Sequence, residues 1–411
     1  MTGSMYAAIA GLKTHMNKMN VIGNNIANVN TNGYKSQRTV FKDAMYTMYT
    51  SGSDGNETTG GRNPSQIGYG SQVSSIDLNM ATGTYAPGRA TDCMIYGDGF
   101  FLVGDKEIAN SIDPLDPTSL KSLTLTRVGD FEIKADGYLC DGSGNTVYGF
   151  LTYDTDPMTG KPKVSDQLVP IRLPKMETVY KNPDGVVSDK ATYDAITDEA
   201  EKARWTITRE ARYPLVQSTG EGGDGGNIPL TDYVPAIRDG EEVPAELPFA
   251  QMDSISINPS TGAITGTMKD SEQVITIGYL AIGNVTNPNG VTHTEGFYYK
   301  CAEGAGDLQV SLLGGAAEEL GINHVNGSLF ELAKETYEGE DADQLGEEPS
   351  EKLKIGSAGG TNLMVGGLEG SNVDLASEIS EMITTQRGYQ ANTRIITVTD
   401  QMLEELVNMK R

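Results

Sequence analysis

Apolar residues recur at alternating spacings of four and three along the start of the chain: Met5, Ile9, Leu12, Met16, Met19, Gly23 and Ile26. Side chains three and four apart share one face of an α-helix, so this is the a/d pattern of a helix docking along another helix. Gly23 leaves a gap in the stripe and is expected to weaken the helix, and Asn32-Gly33 closes it with a turn signal. A second helical stretch lies between Ser371 and Arg411, which contains no proline: Leu375, Ile379, Met382 and Ile383, then Ile395, Ile396, Met402, Leu403, Leu406 and Val407. Asn372 or Asp374 supplies its cap, and Glu378 and Glu381 suit the positive end of the helix dipole.

Between the ends the period falls to two. Ile76, Leu78 and Met80 alternate with polar residues, as do Phe131 and Ile133 before Asp136-Gly137. Val147, Tyr148, Phe150 and Leu151 follow "DGSGN" (141–145); Ile255 and Ile257 precede "NPSTG" (258–262); Ile264 and Val274 to Ile277 come after it. These predict short strands joined by hairpin turns. The fold class is therefore mixed and mainly β: β-rich central domains, barrel- or sandwich-like, with terminal helices paired in a coiled-coil-like inner domain. The expected layout is nested. Residues 1–34 form the N-terminal helix, 35–71 an extended Gly/Ser/Thr-rich linker, and 72–150 the first half of a β core. Residues 151–250, richer in proline and charge, form an inserted outer domain; 251–355 complete the core; 356–370 are a linker; 371–411 are the C-terminal helix.

The apolar surface such a helix pair can bury is worth about as much as the backbone entropy lost in ordering it, so an isolated pair is marginal. Either further copies of the chain cover the stripe, or the chain's own β core does, and both place Met5, Ile9, Leu12, Met16, Met19 and Ile26 in a packed seam. On the C-terminal side the matching seam positions are Leu375, Ile379, Met382, Gln386, Tyr389, Ile396, Leu403 and Val407. Three of the six N-terminal positions are methionine, whose flexible thioether tolerates repacking. Asn24, Asn25, Asn28, Asn30 and Asn32 either bridge the helix to the linker through their amides or, with Gly33, only form a turn. Gln386, Arg387, Tyr389, Gln390 and Asn392 are a solvated face in a lone helix and a hydrogen-bonded layer in a packed assembly.

Composition narrows the chemistry. The 411 residues carry a formal charge of −25, which argues against nucleic acid and against anionic membranes. Residues 1–42 hold five Lys/Arg and no Asp/Glu, whereas "ETYEGEDADQLGEEPSE" (335–351) holds eight acids and no base and reads as a solvated loop. No run of 18 apolar residues predicts a membrane span, and Lys13, His15 and Lys18 interrupt any secretory h-region, so no cleaved signal peptide is expected. Cys93, Cys140 and Cys301 form neither a zinc pattern nor a disulfide framework and read as free thiols, with one bridge left open. His15, His293 and His324 have no Cys, Asp or Glu at metal-ligand spacing. "GEGGDGGN" (220–227) lacks the Lys-Ser/Thr of a phosphate loop, and "DGSGN" lacks the later glutamate of a calcium loop. No catalytic, cofactor or metal site is expected, and a hydrolase reading finds no positioned carboxylate pair.

Two long motifs then carry a resemblance. "IGNNIANVNTNGYK" (22–35) is similar to the N-terminal signature of flagellar axial proteins, the rod and hook subunits of the bacterial flagellum. "EGSNVDLASEISEMITTQRGYQANTRIITVTDQMLEELVNMKR" (369–411) resembles their C-terminal signature, and "IYGDGFFLV" (95–103) the first strands of their β domain. The block at 151–250 makes the chain most like the longer, hook-type members. The resemblance implies a structural subunit, exported without signal cleavage through the flagellar type III apparatus, that polymerises with itself. The product is a curved hollow tube, outside the cell, that transmits torque from rod to filament. It also implies contacts with a distal rod protein, a hook–filament junction protein and a hook cap. The alternatives are a distal rod subunit with an unusual insertion, and a secreted β-rich adhesin whose outer domain holds a ligand.

Overall fold

The computed structural model describes residues 2–55, 60–105, 112, 117–155, 162–164, 168–183, 187–188, 193–197, 199–212, 249–269, 274–313, 316, 324–325, 328–329, 356–357 and 361–409. The chain divides into two compact units: Met1–Thr84 with Gly370–Arg411, and Tyr85–Glu369. The acidic run 335–351 and the glycine-rich segment 220–227 lie outside the described residues.

The first unit holds both terminal helices, Thr2–Ala27 and Leu375–Met409. The N-terminal helix runs through Gly23, where no neighbour crowds the backbone, rather than weakening there. It ends where the Asn28 side chain donates to Asn24 O (2.9 Å), followed by a turn in which Gly33 adopts φ 71°, a conformation that suits a residue without Cβ. Asp374 caps the second helix, its Oδ1 accepting from Ala376 N (3.1 Å).

Residues 35–71 are not an extended linker. They contain strands β1 (Gln37–Asp43), β2 (Tyr46–Thr50) and β3 (Ser65–Gly68), and β4 (Ser71–Leu78) follows. β1 pairs antiparallel with β4, from Gln37 opposite Leu78 to Asp43 opposite Ser71, and β2 pairs with β3. Residues 72–84 accordingly belong with the helices and not with the β core. The apolar positions of residues 35–71 are sparse and interleaved with Thr, Ser and Gly, so composition alone reads as a connector. Pairing across a ribbon supplies the backbone bonds that strengthen weak β propensity.

The second unit is β-rich. β5 (Tyr85–Pro87) pairs with Gly367–Glu369 and β6 (Cys93–Tyr96) with Asn362–Val365, so the expected linker at 356–370 is largely strand. β7 (Phe100–Gly104) joins the remaining long strands in a closed barrel that includes Thr146–Thr155, Met252–Ile257, Ala263–Met268 and Val274–Leu280. Residues 151–155, 162–164 and 169–170, expected in the outer domain, pair inside this barrel; a separate three-stranded sheet uses Lys175–Lys181, Val187–Ser188 and Thr206–Arg212. The barrel core contains Phe101, Val103, Phe131, Leu151, Ile264, Ile277 and Ile282, with the Phe101 and Phe131 rings edge-to-face at 4.9 Å. Arg127 is fully buried there. It donates to Gly97 O (2.9 Å) and faces Glu369, itself buried, at 3.7 Å. In the "DGSGN" turn Asp141 accepts from Ser143 N, Asn145 N and the Tyr298 hydroxyl, a self-contained turn. Cys93, Cys140 and Cys301 are free thiols.

Candidate assembly interface

The terminal helices pack antiparallel, and small and polar groups form their seam. Gly11 lies against Asn392, His15 against Gly388, Lys18 bonds Glu381 (2.8 Å), and Asn25 donates to Glu378 (2.9 Å). A Cβ on Gly388 would sit 2.8 Å from the His15 ring, so the helices approach this closely only over glycine. The N-terminal helix buries Ala8, Thr14, Val21, Ile22 and Asn25; along the C-terminal helix only Thr385 and Thr399 are fully buried. Thr14 reaches β4 through Ser71 (Oγ1 to Oγ, 3.2 Å). Pairing is therefore present without a large-residue a/d core.

At one end of the pair a buried polar junction ties four segments together. Asn25, with no exposed surface, makes four bonds: Nδ2 donates to Gln37 O (2.9 Å) and Glu378 Oε1 (2.9 Å), and Oδ1 accepts from Tyr34 Oη (3.0 Å) and Gln37 N (3.0 Å). Asn24 donates to the Tyr34 hydroxyl (3.1 Å), and Asn28 accepts from Thr31 (3.1 Å). Burial, helped by the Glu378 charge, pushes the Tyr34 phenol up to about 12, so it stays a neutral donor. Burial also raises the Glu378 carboxyl, against the bond from Asn25, which favours its charged form. Beside the junction, Asn372 accepts from Ser36 N (2.7 Å) and donates to Asn79 O (2.7 Å) and Ala81 O (2.9 Å). The buried Lys35 ammonium donates to Ala81 O (2.9 Å) as well. A cleft of about 370 Å³ opens next to these groups, lined by Lys18, Arg38, Asp77, Glu378 and Glu381 among others.

The stripe marked by sequence lies elsewhere. Counting 3.6 residues per turn, on the N-terminal helix it falls roughly a third of a turn from the buried face. Ile9 and Met16 are exposed, and Met5, Leu12, Met19 and Ile26 are half-buried. On the C-terminal helix Leu375, Ile379, Gln386, Tyr389 and Val407 are exposed, while Met382, Ile396 and Leu403 are half-buried. Ile383, Ile395, Val398, Met402 and Leu406 are exposed too, which widens the apolar face. The β2–β3 ribbon adds Met45, Tyr46, Met48, Tyr49 and Ile67, all exposed. The first unit therefore presents several apolar surfaces that nothing in the same unit covers. The reading of Asn25 as a bridge matches its bonds. Gly11, His15, Tyr34, Lys35, Asn372 and Gly388 gave no periodic signal, because small and polar contacts leave none. No described helix is long and apolar enough to cross a membrane, and no group of three potential metal ligands occurs among the described residues.

Two family profiles match the ends of the chain: "Flagella basal body rod protein" over residues 5–35 and "Flagellar basal body rod FlgEFG protein C-terminal" over 364–409. The chain is also similar along its whole length to curated proteins. It is 27% identical over 478 aligned residues to the flagellar hook protein FlgE of Borreliella burgdorferi, covering 100% of both chains. It is 26% identical over 413 residues to the flagellar basal-body rod protein FlgG of Bacillus subtilis, again covering 100% of both. To the FlgE hook protein of Salmonella typhimurium it is 25% identical over 452 residues, covering 99% of this chain and 100% of that one.

Proposed function

This chain is a flagellar hook/rod protein, and from that premise we propose that it is the structural subunit of the hook, a self-assembling component with no enzymatic role. One observation supports the assembly surface most directly: Ile9 and Met16 on one helix and Ile379, Ile383 and Met402 on the other are apolar and left exposed by the chain's own packing. A second copy covers Ile9, Met16, Ile379, Ile383 and Met402, together with the β2–β3 ribbon, while the polar seam keeps each subunit's own helices in register. Met5, Leu12, Met19, Ile26, Leu375, Met382, Gln386, Tyr389, Ile396, Leu403 and Val407 border the same contacts. The product is a curved hollow tube joining rod to filament, with the distal rod protein, the junction protein and the hook cap as neighbours. The subunit reaches it through the flagellar export apparatus and works outside the cell.

Electron microscopy of the purified full-length chain at high concentration tests this. Tubes that bend are the expected result. Straight, stiff tubes favour the distal rod reading, and a chain that stays monomeric favours the adhesin reading.

A further inference from the structure

The seam between the terminal helices contains an ionisable ring in an awkward place. His15 stands near the middle of the N-terminal helix, with Cε1 and Nε2 pressed toward the backbone of Gly388. Its ring also meets Phe41 of β1 edge-on, centroids 6.3 Å apart at 68°. Three elements therefore converge on one imidazole. Its Nδ1 is shut from solvent and has no hydrogen-bond partner.

The surrounding charges do not compensate. Lys18, one turn along, places its ammonium on Glu381 and 6.0 Å from the Phe41 ring. Of the other carboxylates on the packed elements, Glu378 accepts from Asn25, Asp77 faces Arg38 at 3.8 Å, and Asp43 accepts from Tyr46. Lys13, Arg38, Lys42 and Arg387 are cations. No carboxylate among the described residues is bonded to the ring. A neutral His15 leaves one acceptor unfilled. A protonated His15 buries an N–H with no acceptor, next to a lysine. Burial, with Lys18 adding to it, accordingly holds the imidazole below its ordinary value of 6.5.

Building on the reading that these helices are the packing elements of the polymer, we infer that His15 is an acid-sensitive wedge: a proton on its buried nitrogen parts the two terminal helices and so releases the subunit from its neighbours. Because the folded-state value lies below the unfolded one, the contribution is complete above 6.5. It is lost as pH falls from there to the folded value, and levels off beneath it. Inside that window each pH unit increases helix opening by up to about tenfold. Glu378, shifted the other way, favours the folded state as it gains a proton, so the comparison must be made between variants at His15 alone.

Amide exchange of the full-length monomer between pH 7.5 and 5, corrected for the intrinsic rate, reads the effect. Protection over Thr2–Ala27 and Leu375–Met409 should fall as pH drops below 6.5, by at most about tenfold per unit, and then level off, while Ala263–Met268 and Val274–Leu280 hold. His15→Phe keeps an aromatic edge against Phe41 without titrating, and should flatten the profile. His15→Gln does the same with a narrower side chain if the larger ring does not fit. A flat wild-type profile, or acid loss equal to wild type in both variants, overturns the wedge. Absence of tubes at neutral pH counts against the assembly reading instead, because monomer exchange is independent of it.

Discussion

Asn25 concentrates more of the first unit's wiring than any other side chain described above. Its carboxamide uses both donors and accepts twice, with no exposed surface, and its partners come from the turn, the start of β1 and the C-terminal helix. Asn25→Ala strands the Gln37 amide and the Tyr34 hydroxyl, and should cost about 2–3 kcal/mol. The loss should appear as an earlier melting step of the helical unit with the barrel unchanged. Asn25→Asp replaces the donor facing Glu378 with a second carboxylate and should be worse at neutral pH, recovering in acid as one of the two takes a proton. In the second unit Arg127 and Glu369 form the comparable liability. Glu369→Ala removes the larger of two carboxylate charges acting on the buried guanidinium, leaving only that of Asp98, and barrel unfolding should move down by up to about 3–5 kcal/mol. In the sequence the asparagine run reads equally as a bridge or as a simple turn, and which asparagine matters is not legible. The partners of Asn25 stand 9, 12 and 353 positions away.

At the scale of elements, the two long helices were legible because apolar residues recur at helical spacing over many turns, and the barrel strands because alternation and Gly-containing turns bracket them. The inner seam was not, since Gly11, Gly388, Thr385 and Asn392 carry no hydrophobic period. Nor were β1 to β3, where serine, threonine and glycine resemble a linker until strands pair; β4 was legible as a strand from Ile76 and Leu78, but not its place beside β1. On the N-terminal helix the stripe is thus centred off the packing face, with Ile9 and Met16 exposed, whereas on the C-terminal helix Met382, Ile396 and Leu403 lie half-buried on the packing face and Leu375, Ile379 and Val407 are exposed. A charge placed there should separate the two roles. Met16→Asp and Ile383→Asp should shift monomer melting by no more than about 0.5 kcal/mol, as expected of exposed sites. Sedimentation should show both failing to polymerise. Normal tubes from either variant would move the interface to another face.

Across the whole molecule, unit boundaries decide what can be excised. A fragment of residues 72–362 would separate β4 from β1 and sever the chain just before Leu363, which sits in the barrel core. Residues 85–369 keep both closing strand pairs and the Arg127–Glu369 contact. The 85–369 fragment should melt as the barrel does in the full chain, followed by circular dichroism, whereas the 72–362 piece should melt lower or aggregate. The Asn25–Glu378 bond has a further consequence: it spans almost the entire polypeptide. Closing so wide a loop comes late, after local hairpins are in place. Each molecule therefore completes its helical unit only when its last stretch is available, and a prematurely terminated chain lacks the Glu378 half of the junction altogether. The fold inspects its own completeness before it offers a finished building block to the growing structure.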